Sequence, residues 1–193
     1  TVPDVQKGLG HRFRYVLGAF YFDQEAKTDR VVVLGPGFGG PPAGIDAAVQ
    51  DSSVDTRNWA LFVNVNYDLT EQLTLSGGIR YTDEQKDAVI SQRVLPGFGL
   101  AEVIDESPDR SEDYVTATAS VQYQVSDAIS TYFTYASGYK SGGFNVDLVR
   151  TPDDLPYQEE TVDSYELGLK SDLLDGRLRL NLSAFQAKYN DYQ

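Results

Sequence analysis

Connections that are alternately long and short constrain this chain most. Seven stretches alternate apolar and polar residues: 12–23, 58–67, 73–82, 114–125, 129–139, 161–173 and 177–189. In the second, Trp59, Leu61, Val63, Val65 and Tyr67 share one face, while Ala60, Asn64 and Asn66 share the other, with Phe62 the exception. Side chains alternate faces along a strand, so this reads as an apolar and a mostly polar surface. Short turns at 68–72, 126–128 and Asp175-Gly176 alternate with long loops around Gly37, Leu95 and Pro152. Segments of about ten residues, aromatic at their ends, with short turns at one rim and long loops at the other, are expected of an antiparallel transmembrane β-barrel. Strands one and seven then run outward, and the long loops face the cell exterior.

Composition removes competing classes. Tyr (13) and Phe (9) are abundant, which suits strands and membrane interfaces. A net charge of -13 argues against nucleic acid as a partner, because phosphate binding needs a basic patch. There is no Cys, so no disulfide or thiolate site exists, and the single histidine, His11, is expected in a turn rather than in a zinc site. The longest apolar stretch, 15–22, is far too short for a transmembrane helix, but barrels escape that test because half of their residues face a polar lumen.

Two motifs resemble chemistry that their context denies. Gly35, Gly37 and Gly40 follow an apolar run with G-x-G-x-x-G spacing, yet Pro41 and Pro42 occupy the place where a phosphate-binding helix must open. An exposed loop is expected instead. Ser137-Gly138-Tyr139-Lys140 matches S-x-x-K, but the preceding residues read as a strand and two glycines follow. No nucleophile and acid–base set converges, so an enzyme is not expected. The acidic pairs Asp83-Glu84, Asp105-Glu106, Glu112-Asp113, Asp153-Asp154 and Glu159-Glu160 lie in or beside loops and read as solvated charge. No cofactor or metal is expected.

Three stretches resemble the TonB-dependent outer-membrane receptors: Arg14-Tyr15-Val16-Leu17-Gly18-Ala19-Phe20-Tyr21-Phe22 with Leu73-Thr74-Leu75-Ser76-Gly77-Gly78-Ile79-Arg80-Tyr81-Thr82; Tyr135-Ala136-Ser137-Gly138-Tyr139-Lys140-Ser141-Gly142-Gly143-Phe144-Asn145; and Glu160-Thr161-Val162-Asp163-Ser164-Tyr165-Glu166-Leu167-Gly168-Leu169-Lys170-Ser171 running on to Asn181. The resemblance implies part of a 22-stranded barrel, within a Gram-negative outer membrane, for a ferric siderophore or similar scarce nutrient. It also implies as partners outer-membrane lipid, the remaining strands and plug of a parent chain, and the TonB complex acting through that plug. The whole of 1–193 is expected to be part of a single barrel domain, with plug, TonB box and terminal strands outside it. The alternative reading is a structural or self-assembling β-sheet protein. In the receptor reading Arg80, Glu166, Lys170, Arg177 and Arg179 fall on polar faces, toward lumen, plug or ligand. Tyr139, Lys140, Phe144 and Asn145 lie near the top of the fifth strand and are further candidates for ligand contact. The phase of strand seven breaks after Leu182, which a β-bulge or an exit from the membrane explains.

Overall fold

Backbone pairing organises the whole chain. The structure, a computed structural model, describes residues 12–38, 44–96 and 101–191. Its strands are β1 (Phe13–Leu34), β2 (Ile45–Asp68), β3 (Leu73–Val94), β4 (Ile104–Glu106), β5 (Asp109–Ser126), β6 (Ile129–Lys140), β7 (Gly143–Phe144), β8 (Pro156–Tyr157), β9 (Glu160–Leu173) and β10 (Leu178–Asn190). The main sheet follows chain order, β1-β2-β3-β5-β6-β9-β10, with β4 added on β3 and a separate β7–β8 pair. All its ladders are antiparallel, and the sheet curls into a half-barrel.

Register places the alternating residues in continuous rows. On the convex face Tyr21 opposes Trp59, and Tyr81 opposes Leu61 and Val115. Tyr135 opposes Tyr165 on the same face. The Trp59 and Tyr81 rings are 5.4 Å apart, and those of Tyr135 and Tyr165 are 5.3 Å apart. A second aromatic row holds Phe13 opposite Tyr67, and Tyr123 opposite Leu73. Between the rows lie exposed Leu17, Leu61, Ile79, Phe133 and Leu167. From Trp59 to Tyr67 the strand rises about 26 Å, which a tilt of about 40° turns into about 20 Å along a membrane normal. An exposed apolar band of that height between aromatic rows suits lipid rather than water.

The strands are longer than sequence periodicity indicates. β1 continues to Leu34 and β2 begins at Ile45, so most of the first long loop is a two-stranded ribbon. β3 likewise extends to Val94, and β5 starts at Asp109. Beyond the upper aromatic row both faces meet water or loops, so the apolar–polar alternation that marks a strand in lipid fades while pairing persists. On the convex face of this extension, Glu25, Asp55, Asp87 and Asp109 stand opposite one another across four strands. The apolar run Val31–Leu34 belongs to β1, with the short 3-10 turn Pro36–Phe38 after it and β2 returning antiparallel. That is not the helix-containing frame of a dinucleotide site. His11 lies outside the described residues.

Strand seven of the sequence, β10, contains no bulge: its pairing runs unbroken from Leu178↔Leu173 to Asn190↔Thr161. The phase break therefore marks a change of surroundings along one regular strand. Leu178, Leu180 and Leu182 face outward, followed on the same side by Ala184, Gln186 and Lys188. The preceding turn holds Leu174, Asp175 and Gly176 at positive φ of 54°, 55° and 80°. Gly and Asp tolerate that region, whereas Leu174 does so at a cost. Leu174→Gly is expected to stabilise the hairpin by up to about 1 kcal/mol, read as a higher thermal midpoint. Single cysteines at Leu61 and Leu167 are expected to be reached by a lipid-phase quencher, and cysteines at Asn64 and Glu166 by a water-soluble reagent; reversed access would place the apolar face inside.

The concave face and the loop seated on it

The concave face is polar and closely interlocked. Phe62 lies across Gly18, where an added Cβ would fall 2.1 Å from the ring, and Tyr132 lies across Gly168, at 2.2 Å. Both are directly opposed cross-strand pairs, so each glycine leaves a slot for its partner's ring. Tyr132 donates its hydroxyl proton to Glu166, and Lys170 Nζ stands 5.2 Å from the same ring. Arg80 Cζ lies 5.4 Å from the Phe20 ring and 5.9 Å from Phe62, while Nε donates to Thr82 Oγ1 at 3.1 Å. Near the tight-turn rim Arg179 Nε donates to Asp172 at 2.6 Å, beside a polar hollow of about 400 Å³ that Lys170 and Asn181 also line. Arg14 is bidentate on Asp68, with one arm at 2.9 Å.

Beyond the upper aromatic row, residues 141–159 fold inward across the concave side of the extended strands. Phe144, Val149 and Leu155 pack with Ala88, Ile90 and Ile104 into a small apolar core, with Val54 against it. Gln92, fully buried, clamps this loop. Its Nε2 donates to Val149 O at 2.9 Å and to Glu102 O at 2.8 Å, and its Oε1 accepts from Val149 N at 3.2 Å. The side-chain amide thus stands in for a strand's backbone. Lys86 Nζ donates to Ser141 Oγ at 2.7 Å and to Gly142 O at 2.6 Å, and sits 2.7 Å from Glu84 Oε1. Arg110 donates to Tyr157 O at 3.2 Å and Glu159 at 2.9 Å, and pairs with Glu112. Arg30, far away on β1, reaches Asp147 at 2.6 Å.

These positions sort the sequence candidates. Arg80, Glu166, Lys170 and Arg179 share the concave face, as their alternation suggested. Arg177 belongs to the tight turn, where its N–H donates to Leu174 O. Phe144 is a buried core residue, only 8% exposed, so its ring is not presented to a ligand. Asn145 braces the loop by donating to Asp154 O at 2.7 Å. Lys140 pairs with Glu160 at 3.1 Å. The β5–β6 ladder ends at Thr118↔Ala136; beyond it Ser137 Oγ accepts from Ala117 N, and the Tyr139 ring stacks on Tyr114 at 3.8 Å. Tyr139 therefore closes a splay between strands. Ser137 and Lys140 stand on a strand, which removes the helical frame that S-x-x-K chemistry requires. Gln92, Lys86 and Arg110 carry no motif, and no spacing in the sequence singles them out. Phe62, the one residue out of phase in its segment, did announce itself.

The family model described as TonB dependent receptor-like, beta-barrel matches residues 3–193. The chain belongs to that family. It is 26% identical over 155 residues to the rhizobactin receptor of Rhizobium meliloti, covering 69% of this chain and 20% of that protein. It is 27% identical over 136 residues to the ferric-pyoverdine 358 receptor of Pseudomonas putida, covering 70% and 15%. The chain thus spans a fifth or less of these relatives. Among solved structures, the ferric yersiniabactin uptake receptor of Yersinia pestis superposes with a TM-score of 0.82 at 19% identity, covering 97% of this chain and 27% of that one. A siderophore receptor of Acinetobacter baumannii gives 0.68 at 17%, covering 90% and 28%. These likenesses establish the same fold, and the family consists of receptors rather than enzymes.

The Glu84 carboxyl answers to opposed influences. Burial raises its pKa, but hydrogen bonds from Lys86, Ser141 and Asn58 outweigh burial and hold it below the ordinary value. Its contribution to loop docking is therefore complete above the unfolded-state value of about 4.3 and is lost as pH falls through the lower folded value. Gln92→Ala, which removes three hydrogen bonds in a buried place, is expected to cost about 2–4 kcal/mol of docking. Limited proteolysis within 145–156 should accelerate in that variant, and in the parent as pH falls below about 4. Equal cleavage rates would show that the loop is not held by these groups.

Proposed function

We propose that this chain is a wall sector, with its loop platform, of a Gram-negative outer-membrane receptor that imports a ferric siderophore or a comparable scarce nutrient with TonB-supplied energy. The observation that carries this is the family match over residues 3–193, joined to relatives whose own names are those of siderophore receptors. The apolar convex band and its two aromatic rows support a seat in lipid; the polar concave face supports a lumen lined for a plug or a passing ligand. Arg80, Glu166, Lys170 and Arg179 are the proposed lumen contacts. The ribbon β1–β2 and the clamped loop belong on the outer side, where long connections lie in such barrels. Residues 1–193 are proposed to be part of one barrel domain.

The test is uptake of radiolabelled iron, presented on a panel of siderophores, by a strain lacking the intact protein. Loss of uptake for one chelate, and equal loss on removing TonB, is the expected result. Normal uptake of every chelate under iron starvation would sink the receptor reading. A second test uses the sheet edges. Within the described residues, β1 and β10 each pair on one side only. In a bilayer each unpaired backbone group costs several kcal/mol, so an open sheet cannot persist there. Residues 1–193 expressed alone are expected to give neither a heat-modifiable monomer nor channel conductance; a conducting monomer would overturn the wall-sector assignment.

A further inference from the structure

Most cations of the concave face are paired with acids, with two departures: Lys170, whose Nζ stands 5.2 Å from the Tyr132 ring, and Arg80. Arg14 pairs with Asp68, Lys86 with Glu84, Arg110 with Glu112 and Glu159, Lys140 with Glu160, and Arg179 with Asp172. Arg80 instead has two phenyl rings, Phe20 and Phe62, and one hydroxyl, Thr82. No carboxylate among the described residues lies within ion-pair distance of it. In a chain with 29 acidic and 16 basic side chains, a half-buried guanidinium without an acid is not a consequence of scarcity.

The surroundings orient this group. The rings flank the guanidinium and Thr82 holds Nε, which leaves the two terminal NH₂ groups as the free arm of the fork. Next to it opens a shallow groove of about 220 Å³ whose lining is mainly apolar, Phe62, Ile79 and Ala117 included, with Arg80, Asn64, Thr116 and Thr118 as its polar groups. An added Cβ at Gly78 would fall 2.2 Å from Asn64 Oδ1 and 3.0 Å from Thr118 Oγ1, so the bare glycine lets an amide and a hydroxyl converge over the floor. A planar bidentate donor and two threonine hydroxyls beside a small hollow match the acceptor pattern of a carboxylate, with the Asn64 amide oxygen at its edge. The hollow is too small for a whole iron chelate and large enough for one arm of it. Arg80 is next in sequence to Tyr81 of the upper aromatic row, toward the rim that carries the long loops.

We propose that Arg80, Thr116 and Thr118 form a subsite for a carboxylate arm of the transported ligand. This rests on the receptor reading for its ligand, but its chemistry is testable without transport. The intact protein, in detergent, is treated with phenylglyoxal, and modification of Arg80 is followed by peptide mass with and without citrate as the carboxylate probe. Saturating citrate should slow modification of Arg80 at least about tenfold, as a charge-assisted bidentate pair requires, and should leave exposed Arg93 unaffected. By calorimetry Arg80→Lys should weaken citrate binding about tenfold, because charge remains while the fork is lost. An unchanged modification rate at saturating citrate would overturn the subsite. So would an Arg80 that resists the reagent without citrate: a site open to an anion must be open to phenylglyoxal. If it then becomes reactive on deletion of the barrel's interior domain, a carboxylate of the protein itself is its occupant. Because no readout involves iron uptake, failure of the transport experiment leaves this result standing on its own.

Discussion

Everything in this molecule depends on the pairing of backbone N–H and C=O groups across a single antiparallel sheet. In lipid those groups have no water to turn to, so each strand must lie against its neighbour in register for the full height of the membrane. Register then fixes parity, and parity fixes which side chains meet lipid. The rows Tyr21–Trp59 and Tyr135–Tyr165 are consequences of that ladder, as is the opposing polar row that includes Arg80 and Glu166. The glycine slots at Gly18 and Gly168 serve the same end by allowing rings to lie flat on the concave face without forcing strands apart.

What the sequence made legible follows from where water is. Between the aromatic rows lipid lies on one side and a polar interior on the other, so the alternation is strong and the segments stand out. Strand order and the tight-turn ends of the hairpins came directly from it. Above the upper row that contrast disappears. Residues 24–34 and 45–57 look like loop because Glu25, Lys27, Asp29, Asp51 and Asp55 are all polar outward, yet they pair along that length with one register shift, between Val32 and Val33. The loop core was invisible for a related reason: Phe144, Val149 and Leu155 are too far apart in sequence from Ile90 for any periodicity to join them. Nor does a glutamine such as Gln92 announce that it will act as a piece of backbone. Arg80 was legible as a polar-face cation, but its flanking by Phe20 and Phe62 needed the cross-strand register.

The clamped loop changes how the outer part of the molecule is best pictured. Residues 141–159 are tied to β3 by Gln92 and Lys86, to β5 by Arg110 and to β1 by Arg30. Four attachments on three strands make a buttress, with a dry centre at Ile90 and Ile104. Such a buttress holds its strands at fixed separations, so the concave wall beneath it, including Phe62 and Arg80, keeps its shape.

The acidic row on the convex side of the ribbon has a consequence for crowding. Glu25, Asp55, Asp87 and Asp109 sit side by side at the strand spacing, each adjacent pair costing up to roughly 1 kcal/mol of repulsion in a water-like dielectric, which Lys27 at 2.7 Å from Glu25 and Arg57 at 3.5 Å from Asp87 offset in part. The ladder beneath bears that strain. The same charges point away from the barrel, into the space where a neighbouring barrel would stand. Two such walls approaching within about 8–10 Å, a Debye length at physiological salt, meet negative charge with negative charge. The projecting ribbon thus acts as a spacer as well as a wall, keeping like molecules from lying flank to flank and leaving room for large solutes to reach the loops between them.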